Sequence, residues 1–406
     1  MHVKTIVLAA GLSVVPGLLY AQFDFKLAGK EVQVHSFASQ GFAYSNDNNY
    51  LSMKTSSGDF AMTDFGANVS TRLTDKFRVG AQIYGLNVGK LGNWRPTLDW
   101  AVADYRFKDW FGLRGGKVKT ALGLYNDTQD LAFLHPWALM PQSVYPVDSR
   151  GDTISHVGGD IYGNFSLKKL GGLAYTAYGG DRPSDLQSGM VYGLQSSSLV
   201  NGNFVIAIGK KIDSYSGPVY GADLRWTTPL PGLLVGASYA HLEVETHGSY
   251  VSNNLPYLLT SLDKTLATYV QFSAGNFTFA GEYRKEPRVN HWNTATGVAV
   301  MNSLNARLGC VSAAYRVSKR LELGAYHSRV IRNWDVNHGD PANHIFDQAI
   351  TARVDLTTYL DFKIEGHFID GADIESTMSR GFFAASNPNG LKPTMNMLIL
   401  RLSFHL

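Results

Sequence analysis

Residues 121–156 read ALGLYNDTQDLAFLHPWALMPQSVYPVDSRGDTISH and hold Asp127, Asp130, Asp148, Arg150 and Asp152. Lys117 and Lys119 come just before, in GLRGGKVKT. Carboxylates and cations gathered at one narrow point set a local potential that sorts solutes by charge without breaking a bond. The same stretch is apolar for a loop, with Phe133, Leu134, Trp137, Leu139, Met140 and Tyr145, and it carries Pro136, Pro141 and Pro146. Left in water, that surface would be costly. Folded inward it would be buried, and the charges would be brought to one place. Connections this long are usually functional or disordered, so 121–154 is the candidate constriction. An outer lid or a subunit contact is the plainer alternative.

Other chemistry is weaker. His241 with Glu243 and Glu245, or His135 with nearby Asp and Ser residues, could serve acid–base catalysis, as in a hydrolase. No segment pairs a nucleophile with a histidine at a usable spacing. Cys310 is the single cysteine, which excludes an internal disulfide framework and a cysteine metal site. Asp148 and Asp152 could offer oxygen ligands to Ca²⁺, yet no EF-hand pattern is present. HGDPANH (338–344) could touch a metal or lipopolysaccharide, but a solvated loop explains it as well. Neither a metal site nor a cofactor is signalled.

What would position these residues is a sheet. Tyr and Phe number 21 each and Gly 41, while charged residues are 17%, below the ~25% usual for soluble domains. Mean hydropathy is only -0.10, too polar for a bundle of membrane helices. Period-2 alternation recurs in FTFAGEYR (277–284), ITARVDLTTYL (350–360), FKIEGHF (362–368) and LILRLSFHL (398–406). The connections alternate between short and long. Short ones fall at 73–76, 107–110, 168–172, 229–232, 274–276, 318–320 and 359–361. Long ones fall at 45–58, 89–96, 121–154, 180–215, 247–260, 287–303, 333–344 and 371–393. This rhythm predicts an all-β, transmembrane, antiparallel up-and-down barrel of about 16 strands, with short periplasmic turns and long extracellular loops. In lipid a free sheet edge has no water to satisfy it, so the last strand must close on the first, placed at 31–45.

Faces follow from the alternation. Phe65, Ala67, Val69, Phe77, Val79, Ile83, Leu224, Trp226, Ala352, Val354 and Leu356 are expected toward lipid. Their neighbours Asp64, Asn68, Arg72, Arg78, Gln82, Asp223, Arg225, Arg353 and Asp355 are expected toward the lumen, as are Glu282, Arg284, Lys363, Glu365 and Arg401. A charge on the lipid face at the midplane costs ~2–4 kcal/mol, so regular charged alternation implies a wet interior. About 16 strands enclose too wide a space for side chains to fill. An acidic loop facing a basic wall (Arg72, Arg78, Arg225, Arg284, Arg353, Arg401) would create a transverse field. Ion pairs that merely brace the wall are the alternative. Three strands, 98–107, 111–120 and 305–317, have no clear phase, and a bulge at Gly115–Gly116 would restore it in the second.

Both ends fit export and membrane assembly. Lys4, the apolar run Ile6–Leu19 and Ala21 read as a signal peptide over 1–21, leaving 22–406 as one domain. Removing Lys4 lowers the net charge from +3 by one, with no bias toward nucleic acid.

The run GLRGGKVKTALGLYND…LHPWALMPQSVYP, entered from ADYRFKDW, resembles Gram-negative outer-membrane porins of the phosphate-selective group. The resemblance covers 99–163 in wording and most of the chain in rhythm. It implies a 16-stranded trimeric barrel, a third extracellular loop folded inward, and passive diffusion of small hydrophilic solutes. It also implies outer-membrane lipids, lipopolysaccharide and the barrel-assembly machinery as partners. The terminal strand is similar to the signal that machinery reads, usually ending in Phe; here Phe404 is followed by His405 and Leu406. The basic constriction of phosphate-selective members has no counterpart in a loop with four Asp, one Arg and no Lys, so the solute stays open between general diffusion and a dedicated channel for anions, sugars or aromatic acids. In the last case Trp137 and Tyr145 would form a stacking track.

Overall fold

A computed structural model describes residues 23–196, 198–201, 204–295, 297, 299–372 and 380–406. The signal-peptide expectation at 1–21 lies outside these residues, as does part of the expected loop 371–393. Sixteen antiparallel strands close into a barrel. They are β1 Lys30–Ser45, β2 Asp59–Arg72, β3 Phe77–Val88, β4 Thr97–Lys108, β5 Phe111–Lys119, β6 Ser155–Ser166 and β7 Gly172–Asp181. β8 has two pieces, Lys210–Ser216 and Pro218–Thr227, both paired with β9, Leu233–Tyr250. Then come β10 Pro256–Ala274, β11 Phe277–Thr294, β12 Ala299–Arg316 and β13 Leu321–Ile331. β14 His344–Asp355, β15 Leu360–Asp370 and β16 Thr394–His405 complete the wall.

The seam closes where lipid requires it. β16 pairs with β15 on one side and β1 on the other, with Phe404 opposite Ala38 and Arg401 opposite Gly41. The ladder runs to the last residue: the Leu406 amide donates to the Ser36 carbonyl at 2.7 Å, and the Ser36 amide returns at 3.1 Å. A short strand, Phe23–Leu27, folds back on the start of β1 as a hairpin that the alternation did not announce.

Each expected short turn falls between consecutive strands. Two expected loops do not survive. Ladder pairs reach Ser249 opposite Pro256 and Asn293 opposite Ala299, so most of 247–260 and 287–303 is strand. The ladder continues because the inner face of both hairpins stays covered: Tyr250, Tyr257, Leu259 and Trp292 are buried in one cluster with Met190, Val191 and Leu194. Within the apolar band the faces separate as expected. Val69, Ile83, Leu224, Trp226, Phe279, Ile364, Leu398 and Phe404 are exposed, while Asp64, Gln82, Asp223, Glu282, Arg284, Lys363 and Glu365 are buried.

The unclear phases have causes. Between β3 and β4 the register slips so that Gln82 faces Trp100 while Ile83 faces Leu98. The extra residue is Asp99, which the bulge buries in the interior. No slip occurs at Gly115–Gly116, correcting the expected bulge; the ladder runs through both glycines on either side. Gly116 instead takes φ +125, and a Cβ there would stand 2.3 Å from the Ala101 carbonyl oxygen. In β12 the inward residues Leu308 and Cys310 are apolar, because something apolar covers them from inside.

Candidate constriction

That cover is residues 121–154. The segment leaves β5 and re-enters β6 at one point, where the Thr120 amide donates to the Ile154 carbonyl at 3.0 Å. Asn126 ties the neck by donating to the Thr120 and Thr153 carbonyls. From there Trp137, Met140, Val144 and Tyr145 pack on Cys310, Tyr326 and Ala349, the inward faces of β12, β13 and β14. Ala138 and Leu139 join a second cluster with Ala43, Met62, Leu308, Val330 and Ile399. Most of the loop's apolar content is thus buried against one half of the wall, while Leu134 is exposed and Phe133 half-buried.

Polar wall residues hold the loop's backbone. Glu365 on β15 accepts from the Ala138 and Leu139 amides at 3.0 and 2.9 Å. Arg401 on β16 donates to the Ala138 carbonyl at 2.7 Å and grips both oxygens of Asp64 at 2.9 Å. Arg353 donates to the Phe133 carbonyl at 2.6 Å, and Lys363 to the Ala132 carbonyl. Arg225 reaches the Gly123 carbonyl at 3.0 Å and also pairs with Asp223 at 2.8 Å. Gly123 has φ +71, and a Cβ there would lie 2.3 Å from Glu282 Oε1, so the chain passes closer to the wall than a side chain permits. Glu282 accepts from the Leu124 amide and the Tyr145 hydroxyl, and is paired with Arg284 at 2.6 Å. Asp355 pairs with Arg353 at 2.7 Å. Arg72 and Arg78 stand opposite each other at the short-turn end, far from this network. Much of the expected basic wall therefore serves as loop anchors.

The predicted constriction residues do not all converge. Asp130, Arg150 and Lys119 form one cluster with Asp99 and Gln82: Lys119 to Asp130 is 2.9 Å, Arg150 to Asp99 is 2.9 Å, and Arg150 to Asp130 is 3.6 Å. Arg150 also lies 3.6 Å from the centroid of Tyr84. Burial alone would raise the Asp130 carboxyl, but Lys119 and Arg150 outweigh it and hold it below the usual carboxylate range. Lys117 donates to the Leu98 carbonyl. Asp148 is drawn away, accepting from the Gly381 amide at 2.9 Å. Asp127 is exposed. Asp152 accepts from the Tyr215 hydroxyl and stands 3.5 Å from Arg182. Burial pushes its carboxyl up to about 6, with Arg182 and Tyr215 opposing.

Opposite the packed half an internal cavity of about 70 Å³ remains. Val144, Pro146, Ser149 and Asp152 of the loop line one side, and β8–β11 line the other through Val219, Ala240, Asp263, Arg284, Glu286 and Arg288. Arg182 and Arg380 complete it. Arg380 bridges to Glu286 at 3.0 Å and Arg288 to Asp263. Nε and Nη2 of Arg182 and Nη2 of Arg284 are buried without a hydrogen-bond partner in the described residues. Alternation flagged Arg284. Glu286 and Arg288 lay at or inside a stretch read as loop, and Arg182 and Arg380 sit outside any alternating segment.

The acid–base candidates are scattered. His241 stacks on the exposed Tyr220, Glu243 and Glu245 are exposed on the same strand, and His135 is buried edge-on to Tyr125. Burial lowers His135 to about 4. Trp137 lies edge-on to Tyr326, and the Tyr145 hydroxyl is bound to Glu282. Both are buried, so neither ring is laid out as a track.

No protein-family model and no curated protein matches the chain. Solved structures do. The outer membrane channel DcaP of Acinetobacter baumannii superposes with a TM-score of 0.56 at 12% identity, covering 95% of this chain and 100% of that one. The anion-selective porin from Comamonas acidovorans gives 0.55 at 8% identity, over 93% and 100%. The fold is that of an outer-membrane porin. OmpF of Salmonella typhi gives the same TM-score of 0.55 at 10% identity, over 95% and 100%. At these identities the porin likeness concerns the fold alone, and the phosphate-selective group is not singled out.

Proposed function

We propose that the protein is an outer-membrane porin passing small hydrophilic solutes by diffusion, with a mild preference for anions. The observation that carries this reading is the asymmetry of the lumen. Residues 121–154 fill one half, and a charged gap stays between them and β8–β11. Four arginines line that gap, each paired with an acid: Arg182 with Asp152, Arg284 with Glu282, Arg288 with Asp263 and Arg380 with Glu286. Guanidinium N–H groups of Arg182 and Arg284 that have no hydrogen-bond partner among the described residues favour a passing anion more in a low-dielectric site than they would in water. Asp127, Asp130, Asp148, Arg150, Asp152, Lys117 and Lys119 then act differently from one another. Asp130, Arg150 and Lys119 stiffen the neck of the loop, and Asp152 faces the passage. A homotrimer inserted by the barrel-assembly machinery through Phe404 and Leu406 is part of the same proposal.

Planar-bilayer recording tests it. Purified, folded protein should give ohmic single-channel steps and a reversal potential of the anion-preferring sign under a salt gradient. Arg284→Gln should move that potential toward zero. A folded barrel without conductance would remove the reading.

A further inference from the structure

We infer that residues 182–188 form a movable strap across the solute path, and that solute passes the constriction when this strap lifts away from residues 150–155. The inference deepens the porin reading and rests on it. A second cavity, about 240 Å³, lies beside the gap already described. Gly92, Arg95 and Thr97 line it at the long loop 89–96, and Tyr84, Asp99 and Lys117 line it from β3–β5. It is therefore the chamber at the long-loop end. Two segments laid side by side separate it from the gap. Arg150, Gly151, Ile154, Pro183, Ser184 and Asp185 face this chamber, while Asp152, Thr153, Ser155 and Arg182 face the gap. If either segment moves, the two spaces become one.

Both segments hang on one side chain. The Tyr215 hydroxyl, in the first piece of β8, donates to Asp152 and accepts from the Asp185 amide at 2.5 Å. Ser184 Oγ donates to the Tyr215 carbonyl. Gly151 lets the strap come close, since a Cβ there would stand 3.3 Å from Asp185 Cβ and 2.4 Å from its Oδ2. The two ends of the strap are fixed more firmly than its middle. At one end the Arg182 amide donates to the Gly217 carbonyl at 2.9 Å. At the other, helix Gly189–Ser196 buries Met190, Val191 and Leu194 against Tyr250, Tyr257 and Trp292.

Between those ends Ser184 and Leu186 are exposed, and Pro183, Asp185 and Gln187 are half-buried. Lifting the strap therefore uncovers little apolar surface, the condition for local opening. The closed partition is also imperfectly satisfied. Arg182 stands 3.5 Å from Asp152, and Arg182 Nη2 and Asp152 Oδ2 are buried without a hydrogen-bond partner among the described residues. Groups in that condition have lost water without a full replacement, which brings the closed state nearer in energy to an open one. Charge favours a single route as well. Three cations against two acids line the outer chamber, and four against three line the gap. The merged passage would keep one sign of excess charge along its length.

The test uses the full-length protein in planar bilayers, with Gly151→Cys and Asp185→Cys made together. The 3.3 Å between the two Cβ positions is close to the ~3.5–4.5 Å that a disulfide spans. The native thiol, Cys310, is buried beneath Trp137 and Tyr145. Oxidised, with the bond confirmed by the mass of the linked peptides, the pair should lose the parent's open steps. A reductant added to the same channels should restore them, which shows that the barrel is folded throughout. Tyr215→Phe removes the shared anchor without a cross-link. It should lengthen open dwell times in the parent and leave the oxidised pair shut. A parent without steps would remove the porin reading and this inference together. Parent-like steps in the oxidised pair, or parent-like dwell times in Tyr215→Phe, would overturn the strap alone.

Discussion

At the scale of single residues, Asp152 is the titratable group most exposed to experiment. Its carboxyl is raised to about 6, mainly by burial, so it is charged at pH 7 and neutral at pH 5. The folded protein holds that proton more tightly than a free aspartate does, and acidification therefore removes a negative charge from a gap lined by four arginines. Anion preference should rise as pH falls from 7 to 5, seen as a growing reversal potential under a fixed salt gradient. Asp152→Asn should show the acid-pH value throughout and lose the dependence. Gly123 makes a different demand, for space. At φ +71 and with Glu282 Oε1 2.3 Å from an added Cβ, Gly123→Val should displace the start of the loop and cost about 1–3 kcal/mol. Chemical denaturation of the micelle-bound barrel would register that loss.

At the scale of elements, the loop is held by the wall it covers, and Glu365 is its firmest attachment. The carboxylate satisfies two loop amides and lies 3.2 Å from His367 Nε2. Glu365→Ala leaves two buried donors unpaired, at about 1–3 kcal/mol each. The loop should lift, giving larger and noisier single-channel currents; Glu365→Gln, which keeps one acceptor, should fall between. This arrangement also explains what could be read from the sequence. Strands, turns and lumen faces were legible because lipid imposes alternation, and Asp223, Glu282 and Lys363 stand inside as that rule requires. β12 was illegible because its inward Cys310 and Leu308 meet Trp137, Tyr145 and Leu139 rather than water. β4 was illegible because its phase slips at both ends, at Asp99 against β3 and between Arg106 and Lys108 against β5. That the loop is apolar could be seen from sequence alone. Which wall it would choose could not, since the choice depends on strands more than 150 residues downstream.

At the scale of the whole molecule, the seam and the loop meet in the last three residues. Phe404 is exposed on the outer face, while the ring of His405 stacks on Phe133 of the loop, with centroids 4.2 Å apart and planes 13° from parallel. The His405 amide donates to the Tyr359 carbonyl, and Leu406 exchanges hydrogen bonds with Ser36. A terminal strand that only had to be recognised from outside would have no use for an inward aromatic partner. If Phe404 serves assembly, as proposed, the two faces of one strand end should have separable tasks, recognition outside and loop attachment inside. Phe404→Ser should lower the fraction of chains that assemble, measured as the heat-modifiable band in membranes, and leave the conductance of those that do unchanged. His405→Ala should assemble normally, because every ladder bond is made by backbone, and should give noisier currents as Phe133 comes free. If both substitutions acted on assembly alone, the stack on Phe133 would be incidental to the loop. If His405→Ala raised noise without changing assembly, the histidine next to the end would be explained as the loop's lowest anchor.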